Sequence, residues 1–267
     1  MGRWSLRAAV TIVFVFLLLP VFYVVMSSFS ATATLAFPPR AFTLDWYNKI
    51  PPQYWESLRL SLYIAIPTAV VSTVLGTGLA IRIARWRGPG RAAFSAFCLS
   101  PLMVPPLVIG VAIFQFGIQM WDWFGFNPTG TAYAIIAGHI ALALPFVVRA
   151  VLAGHAHFDG SLEEAALNLG ATPRQVFFKV TMPALMPGIT SGAIFALLLS
   201  LDDVPVALLV GRGDDQTLPV RILTTLEYSY SPNIMAISAI MIYGSLLLML
   251  LLDRLIGLER LFGFVRS

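Results

Sequence analysis

Residues Glu164–Pro183 read EAALNLGATPRQVFFKVTMP, a polar stretch set between two very apolar ones. Its punctuation predicts a compact helical unit, not a slack linker. Ser161 stands three residues before Glu164, the spacing of a capping box in which the hydroxyl and the carboxylate satisfy each other's backbone N–H. Leu162, Ala165, Ala166 and Leu169 then recur at i, i+3, i+4 and i+7, giving one narrow apolar face. Gly170 fits the left-handed position just past a helix. A second start follows at once, with Thr172 as N-cap, Pro173 in the first helical position and Gln175 closing another box. Val176, Phe177 and Val180 supply its apolar side, and Pro183 is expected to close the unit before the next span. A lone short helix is marginal in water, so this one must pack on something: the chain's own span ends or another protein. Ala165 and Ala166 let a neighbouring backbone approach closely, while Glu163 and Glu164 offer charge at the rim.

The rest of the chain is built for lipid. Of its 267 residues 58% are hydrophobic and 11% charged, against about 25% charged in a soluble domain. Six segments are long and apolar enough to cross a bilayer: Ala8–Phe29, Ser57–Ala84, Ala92–Met120, Thr131–Ala153, Leu185–Val210 and Ile234–Ile256. The expected fold is therefore all-α and polytopic. It forms one transmembrane domain over 1–267, with its core at 57–256 and the polar loop at 154–184. Arg3, Arg7 and the sequence Ala31-Thr32-Ala33 give the first segment some likeness to a signal peptide. Its apolar run is longer than a signal h-region, and a retained helix is expected.

Basic residues set the orientation. With the N-terminus inside, the inner side holds twelve of the seventeen Lys and Arg residues, and the turn Arg85–Arg91, RWRGPGR, is the strongest anchor. Both termini are then expected in the cytoplasm. The net charge of +4 is small and comes from such loops, so nucleic acid is not an expected partner, whereas membrane lipid is. Cys98, the only cysteine, reads as a small buried hydrophobe.

Outside, Ser30–Glu56 is expected to be extended with a short helix near Trp46, and Gly211–Asn233 to be a polar loop carrying Asp214 and Asp215. Trp46, Tyr47, Tyr54, Trp55, Trp121, Trp123, Tyr228 and Tyr230 fall near the interfaces. They suit an aromatic belt, or in part a cation–π vestibule for a cationic solute. Prolines inside the spans, such as Pro67, Pro145, Pro187 and Pro205, and the pair Gly188 and Gly192 favour a bent, closely packed bundle around a pathway.

Asp202 and Asp203 lie in the fifth span, in LSLDDVPVALLV. A carboxylate there is costly, and two readings stay open. One is a structural role, either pairing with Arg59 or Arg212 or capping a break before Pro205. The other is a cation-attracting lining of a pathway. His139 suits hydrogen-bonded packing better than a proton relay, and His155 with His157 lacks further ligands for a metal site. Nothing suggests a catalytic residue.

The polar stretch resembles the signature of permease subunits of bacterial ATP-binding cassette importers, EAA–x3–G–x9–I–x–LP. Here it reads Glu164-Ala165-Ala166, Gly170, Val180, Met182 and Pro183, with Val for Ile and Met for Leu at unchanged spacing. The resemblance implies a type I importer permease with six spans. Its loop would be a coupling helix docking on a cytoplasmic ATPase through Glu164, Ala165, Ala166, Leu169 and Gly170, with Glu163 a neighbouring candidate. FPPRAFTLDWY, LDDVPVALLV and TLPVRI are further similar to the second permease of spermidine/putrescine-type importers. That implies a homologous but different second permease, two ATPase copies and a periplasmic solute-binding protein. Solutes of such relatives include polyamines, other small amines, amino-acid derivatives and organic ions. A secondary carrier, often marked by inverted repeats, is the less favoured alternative, since the two halves show no convincing repeat. The chain offers no Walker A loop: its two lysines, Lys49 and Lys179, follow Asn48 and Phe178. No cofactor is therefore expected on this chain, and ATP and Mg belong on the partner.

Overall fold

The computed structural model describes residues 3–32, 38–156, 158–211, 213, 215–228 and 232–256. Ala33, Phe37, His157, Arg212, Asp214, Tyr230, Arg260 and Arg266 lie outside the described residues, as do the side chains of Arg3 and Arg254. Among the described residues the chain is helical throughout, and its one β-type contact is an isolated bridge between Ser30 and Phe42. Six helices are long and apolar enough to cross a membrane.

The chain divides into two compact units. The first comprises Met1–Ser57 and Val220–Leu248. It holds α1 (Arg3–Ser28), the short α2 (Asp45–Asn48) expected near Trp46, and most of the length of α12 (Pro232–Ile256). The apolar side chains of α1 are exposed along most of the helix, as a lipid-facing span requires. The loop after α1 is tied down by polar bonds: the Trp46 indole donates to the Ser30 carbonyl at 2.7 Å, and the Ser28 and Tyr47 hydroxyls meet at 2.6 Å. Tyr54 is buried, with its hydroxyl donating to Thr225 at 3.4 Å. It therefore does not belong to an exposed belt, whereas Trp121, Trp123 and Tyr228 are exposed.

The second unit, Leu58–Pro219 and Met249–Ser267, holds most of α3 (Pro52–Arg85). After it come α4 (Arg91–Leu99), α5 (Pro106–Phe124), α6 (Ala132–Ala156), α7 (Ser161–Asn168), α8 (Pro173–Val176), α9 (Met182–Asp202) and α10 (Pro205–Val210). Its core is the α6–α9 pair. Gly188 and Gly192 let the two backbones meet: a β-carbon at 188 would stand 2.8 Å from the Ala150 carbonyl oxygen, and one at 192 would stand 3.0 Å from the Val147 Cα. Val147, Val148, Val151 and Leu185 are fully buried around this seam.

Three expected boundaries are corrected. The third span is not continuous from Ala92 to Met120. A 3-10 turn at Ser100–Met103 and an extended Val104 separate α4 from α5, because Pro105 and Pro106 supply no N–H and bias the preceding residue out of the helical region. The polar outer loop contains α11 (Leu218–Tyr228), which starts in the second unit and ends in the first, so Gly211–Asn233 is not simply a loop. Finally, Pro183 does not close the loop unit. Phe177–Thr181 is π-helical, and the Met182 N–H reaches back five residues to the Phe177 carbonyl. The missing N–H of Pro183 thus falls where the ladder has already shifted register, and one helical path runs from Pro173 to Asp202.

Candidate functional site

The polar loop folds as two capped turns, though not with both caps expected. Ser161 is already helical, and the residue before it, Gly160, makes no side-chain cap. The Asp159 carboxylate instead accepts from the Ser161 N–H at 2.9 Å. This local bond, formed two residues upstream, replaces the Ser161–Glu164 box and holds the Asp159 carboxyl below the usual carboxylate range. The other end follows expectation. Gly170 adopts φ +84°, its N–H donates to the Leu167 carbonyl at 2.9 Å, and the Ala171 N–H donates to the Ala166 carbonyl at 3.0 Å. These two bonds form a Schellman motif. The second box is present in full: the Gln175 N–H donates to Thr172 Oγ1 at 3.3 Å and the Thr172 N–H to Gln175 Oε1 at 2.8 Å.

The two adjacent glutamates face opposite ways. Glu164 is exposed. Glu163 turns inward, and its Oε1 accepts from Arg85 Nη2 at 2.6 Å and from the Thr181 hydroxyl. Thr181 is fully buried, so one carboxylate joins the end of α3, the loop helix α7 and the π-turn that opens α9. No local signal marks this: Arg85 and Glu163 are 78 positions apart. The apolar stripe of α7 points away from the chain, with Leu162 52% and Leu169 89% exposed.

Because Arg85 and Glu163 are partly exposed, their direct coupling should be small. A double-mutant cycle with Arg85→Ala and Glu163→Ala, read by thermal unfolding in detergent, should give about 0.5–1 kcal/mol. Glu163→Gln, which keeps an acceptor for Thr181, should lose less than Glu163→Ala. A zero coupling term would show that the contact does not hold the loop.

A second polar cluster sits in the fifth span. There α9 ends at Asp202, Asp203 is extended with ψ 129°, and α10 restarts at Pro205. Asp203 Oδ1 accepts from the Val206 N–H at 3.0 Å and the Ala207 N–H at 3.1 Å. It also accepts from His139 Nε2 at 3.1 Å, while His139 Nδ1 lies 2.7 Å from the Ser200 hydroxyl. A neutral ring donating at Nε2 and accepting from Ser200 at Nδ1 satisfies every partner. His139 is fully buried and Asp203 nearly so. Asp203 thus caps a break before Pro205. Among the described residues its side-chain partner is His139, not Arg59. Asp202, one residue earlier, is exposed. An apolar groove of about 410 Å³ runs between α3 and α9, lined by Ile66, Val70, Thr73, Thr190, Ile194 and Leu197.

Comparison with known families agrees with this helical layout. The profile of the family described as binding-protein-dependent transport system inner membrane component matches residues 72–258. The chain belongs to that family. This inner membrane component is a multi-pass membrane protein and a permease subunit of an ATP-binding cassette importer. The permease is 29% identical over 232 residues to the putrescine transport system permease protein PotI of Escherichia coli K12, covering 86% of this chain and 82% of the relative. It is 26% identical over 268 residues to the spermidine/putrescine transport system permease protein PotC of the same strain, covering 98% and 97%. Its fold matches a chain of a bacterial transporter that imports the acidic polysaccharide alginate, with TM-score 0.76, 17% identity and 94% of each chain covered.

Proposed function

We propose that the permease pairs with a homologous second permease to form the pathway for a small, cationic solute such as a polyamine. Two copies of a cytoplasmic ATPase bind and hydrolyse Mg-ATP and drive the pair between outward- and inward-open forms. A periplasmic solute-binding protein delivers the solute. Both termini and the α7 loop face the cytoplasm, in keeping with the Arg85–Arg91 anchor.

The observation that carries this reading is α7 itself: a short helix capped at both ends, braced from behind by Glu163, with its apolar stripe exposed. A surface fixed on one side and apolar on the other suits a groove on a neighbouring subunit. Glu164, Ala165, Ala166, Leu169 and Gly170 are the contact residues, and Glu163 is the brace. The polyamine assignment draws support from the PotI and PotC relatives, whose printed names concern putrescine and spermidine. Asp202 fits it chemically, as an exposed carboxylate at a helix break. Broken spans recur at solute sites in transporters because unwound backbone is tolerated where it lines a cavity.

The test is uptake by cells or proteoliposomes holding the full importer. A β-carbon on Gly170 meets nothing within 4 Å in this chain, so Gly170→Asp strains only one left-handed residue here, at about 1–2 kcal/mol. Membrane insertion should survive. Gly170→Asp with Glu164→Lys should abolish uptake while the ATPase still hydrolyses ATP. Normal uptake in the double variant would remove the coupling role. Asp202→Asn should raise the apparent KM for putrescine or spermidine, and an unchanged KM would remove Asp202 from the pathway.

A further inference from the structure

A cavity at one basic corner of the molecule has no part in the solute pathway proposed above. The ends of α3, α4 and α6 enclose a cavity of about 470 Å³. Arg91, Ser95 and His155 line its polar part, and Ile83 and Leu152 belong to its apolar wall. No acidic side chain lines it, and among the described residues Arg91 forms no ion pair. Arg85, on the same corner, is already held by Glu163. Arg82 lies 4.8 Å over the Trp86 ring, which packs 5.6 Å from Phe94, so a further cation is fixed beside α4.

A guanidinium without a carboxylate, set beside a hydroxyl and an imidazole, is a donor set for a phosphate oxygen. The apolar wall would be wasted on a free inorganic anion. It suits the glycerol and first methylenes of a lipid. The location agrees, since α3 and α6 are long and apolar enough to cross a membrane and the cavity lies where both end. Basic pockets between spans are a recurring form of anionic-lipid site. We infer that this cavity binds the phosphodiester of an anionic phospholipid, with Arg91 as its principal cation and Ser95 and His155 as hydrogen-bond donors. Because α6 leads directly from the cavity into the loop that carries α7, a bound headgroup fixes the root of that loop. The inference needs only membrane insertion and holds whichever solute is carried.

Native mass spectrometry of the purified full chain, exchanged into equal amounts of phosphatidylglycerol and phosphatidylcholine, tests it. The unaltered chain should retain phosphatidylglycerol preferentially. Arg91→Gln should cut that preference roughly fivefold, the worth of one cation at a membrane surface. Ser95→Leu, which fills the cavity without removing charge, should lose the bound lipid as well. Arg174→Gln removes a positive charge from α8, outside the cavity, and should retain lipid normally. Excess inorganic phosphate should not displace the lipid. Equal retention in Arg91→Gln and the unaltered chain overturns the site. Equal loss in Arg174→Gln assigns the effect to bulk charge and also overturns it, and displacement by inorganic phosphate makes it a small-anion site instead. Circular dichroism of each variant separates loss of lipid from loss of fold.

Discussion

Gly188→Leu should prevent the α6–α9 pair from forming. A β-carbon there would lie 2.8 Å from the Ala150 carbonyl oxygen and 3.1 Å from the Val151 Cα. Both are backbone atoms of a helix packed on its other sides, so no rotamer change relieves the overlap. Overpacking typically costs about 1–3 kcal/mol and occasionally more, and here the whole seam must part to admit the larger side chain, which puts Gly188→Leu at the upper end. The chain should still insert in the membrane, because its spans keep their hydropathy. It should elute as an aggregate from detergent and be cut rapidly by protease. Gly192→Ala, with 3.0 Å to the Val147 Cα, should be milder. Gly78→Ala meets nothing within 4 Å and should be neutral or slightly stabilising, since glycine is poorly suited to a helix interior. Equal melting of the Gly188→Leu and Gly78→Ala chains would mean that α6 and α9 do not pack as described.

Asp203→Ala should be nearly as damaging, for a different reason. Its Oδ1 accepts from the Val206 and Ala207 N–H groups and from His139 Nε2. Removing it strands three buried donors, each worth about 1–3 kcal/mol when left unpaired. A loss of at least about 3 kcal/mol follows, together with fraying of α10. Asp203→Asn has a way out. Its carbonyl oxygen, standing where Oδ1 stands, still accepts from the two backbone N–H groups and from His139 Nε2. Thermal unfolding should therefore place Asn near the unaltered chain and Ala far below it. If Asn unfolded as readily as Ala, the carboxylate charge and not the cap would be what matters.

These residues also show what the sequence could convey. Thr172, Pro173 and Gln175 form a cap because capping needs only atoms three residues apart, and Gly170 turns left-handed for an equally local reason. The six apolar runs were legible from length and composition. Interactions across the fold were not. Glu163 and Glu164 are indistinguishable as adjacent acids on a short helix, and only Arg85 and Thr181, brought from elsewhere, make one of them internal. His139 read as a packing residue, but that it clamps Asp203 across the break depended on α6 lying against α9 and α10. The misplaced Ser161 cap has a local cause: the Asp159 carboxylate takes the Ser161 N–H that Glu164 was expected to bond, and the Glu164 N–H donates to the Gly160 carbonyl.

The π-turn has a mechanical consequence. From Pro173 to Asp202 thirty residues follow one helical path, a strut of about 45 Å at 1.5 Å per residue. A load applied beside Thr172 need not be relayed through side chains to reach the discontinuity in the fifth span, because the same rod ends there. The strut has one weak joint, at Phe177–Thr181, where the widened coil holds its shape least firmly. Thr181, the last residue of that joint, is gripped by the carboxylate of Glu163. Flexing the joint would therefore loosen that grip, so Glu163 stiffens the strut at its weakest turn.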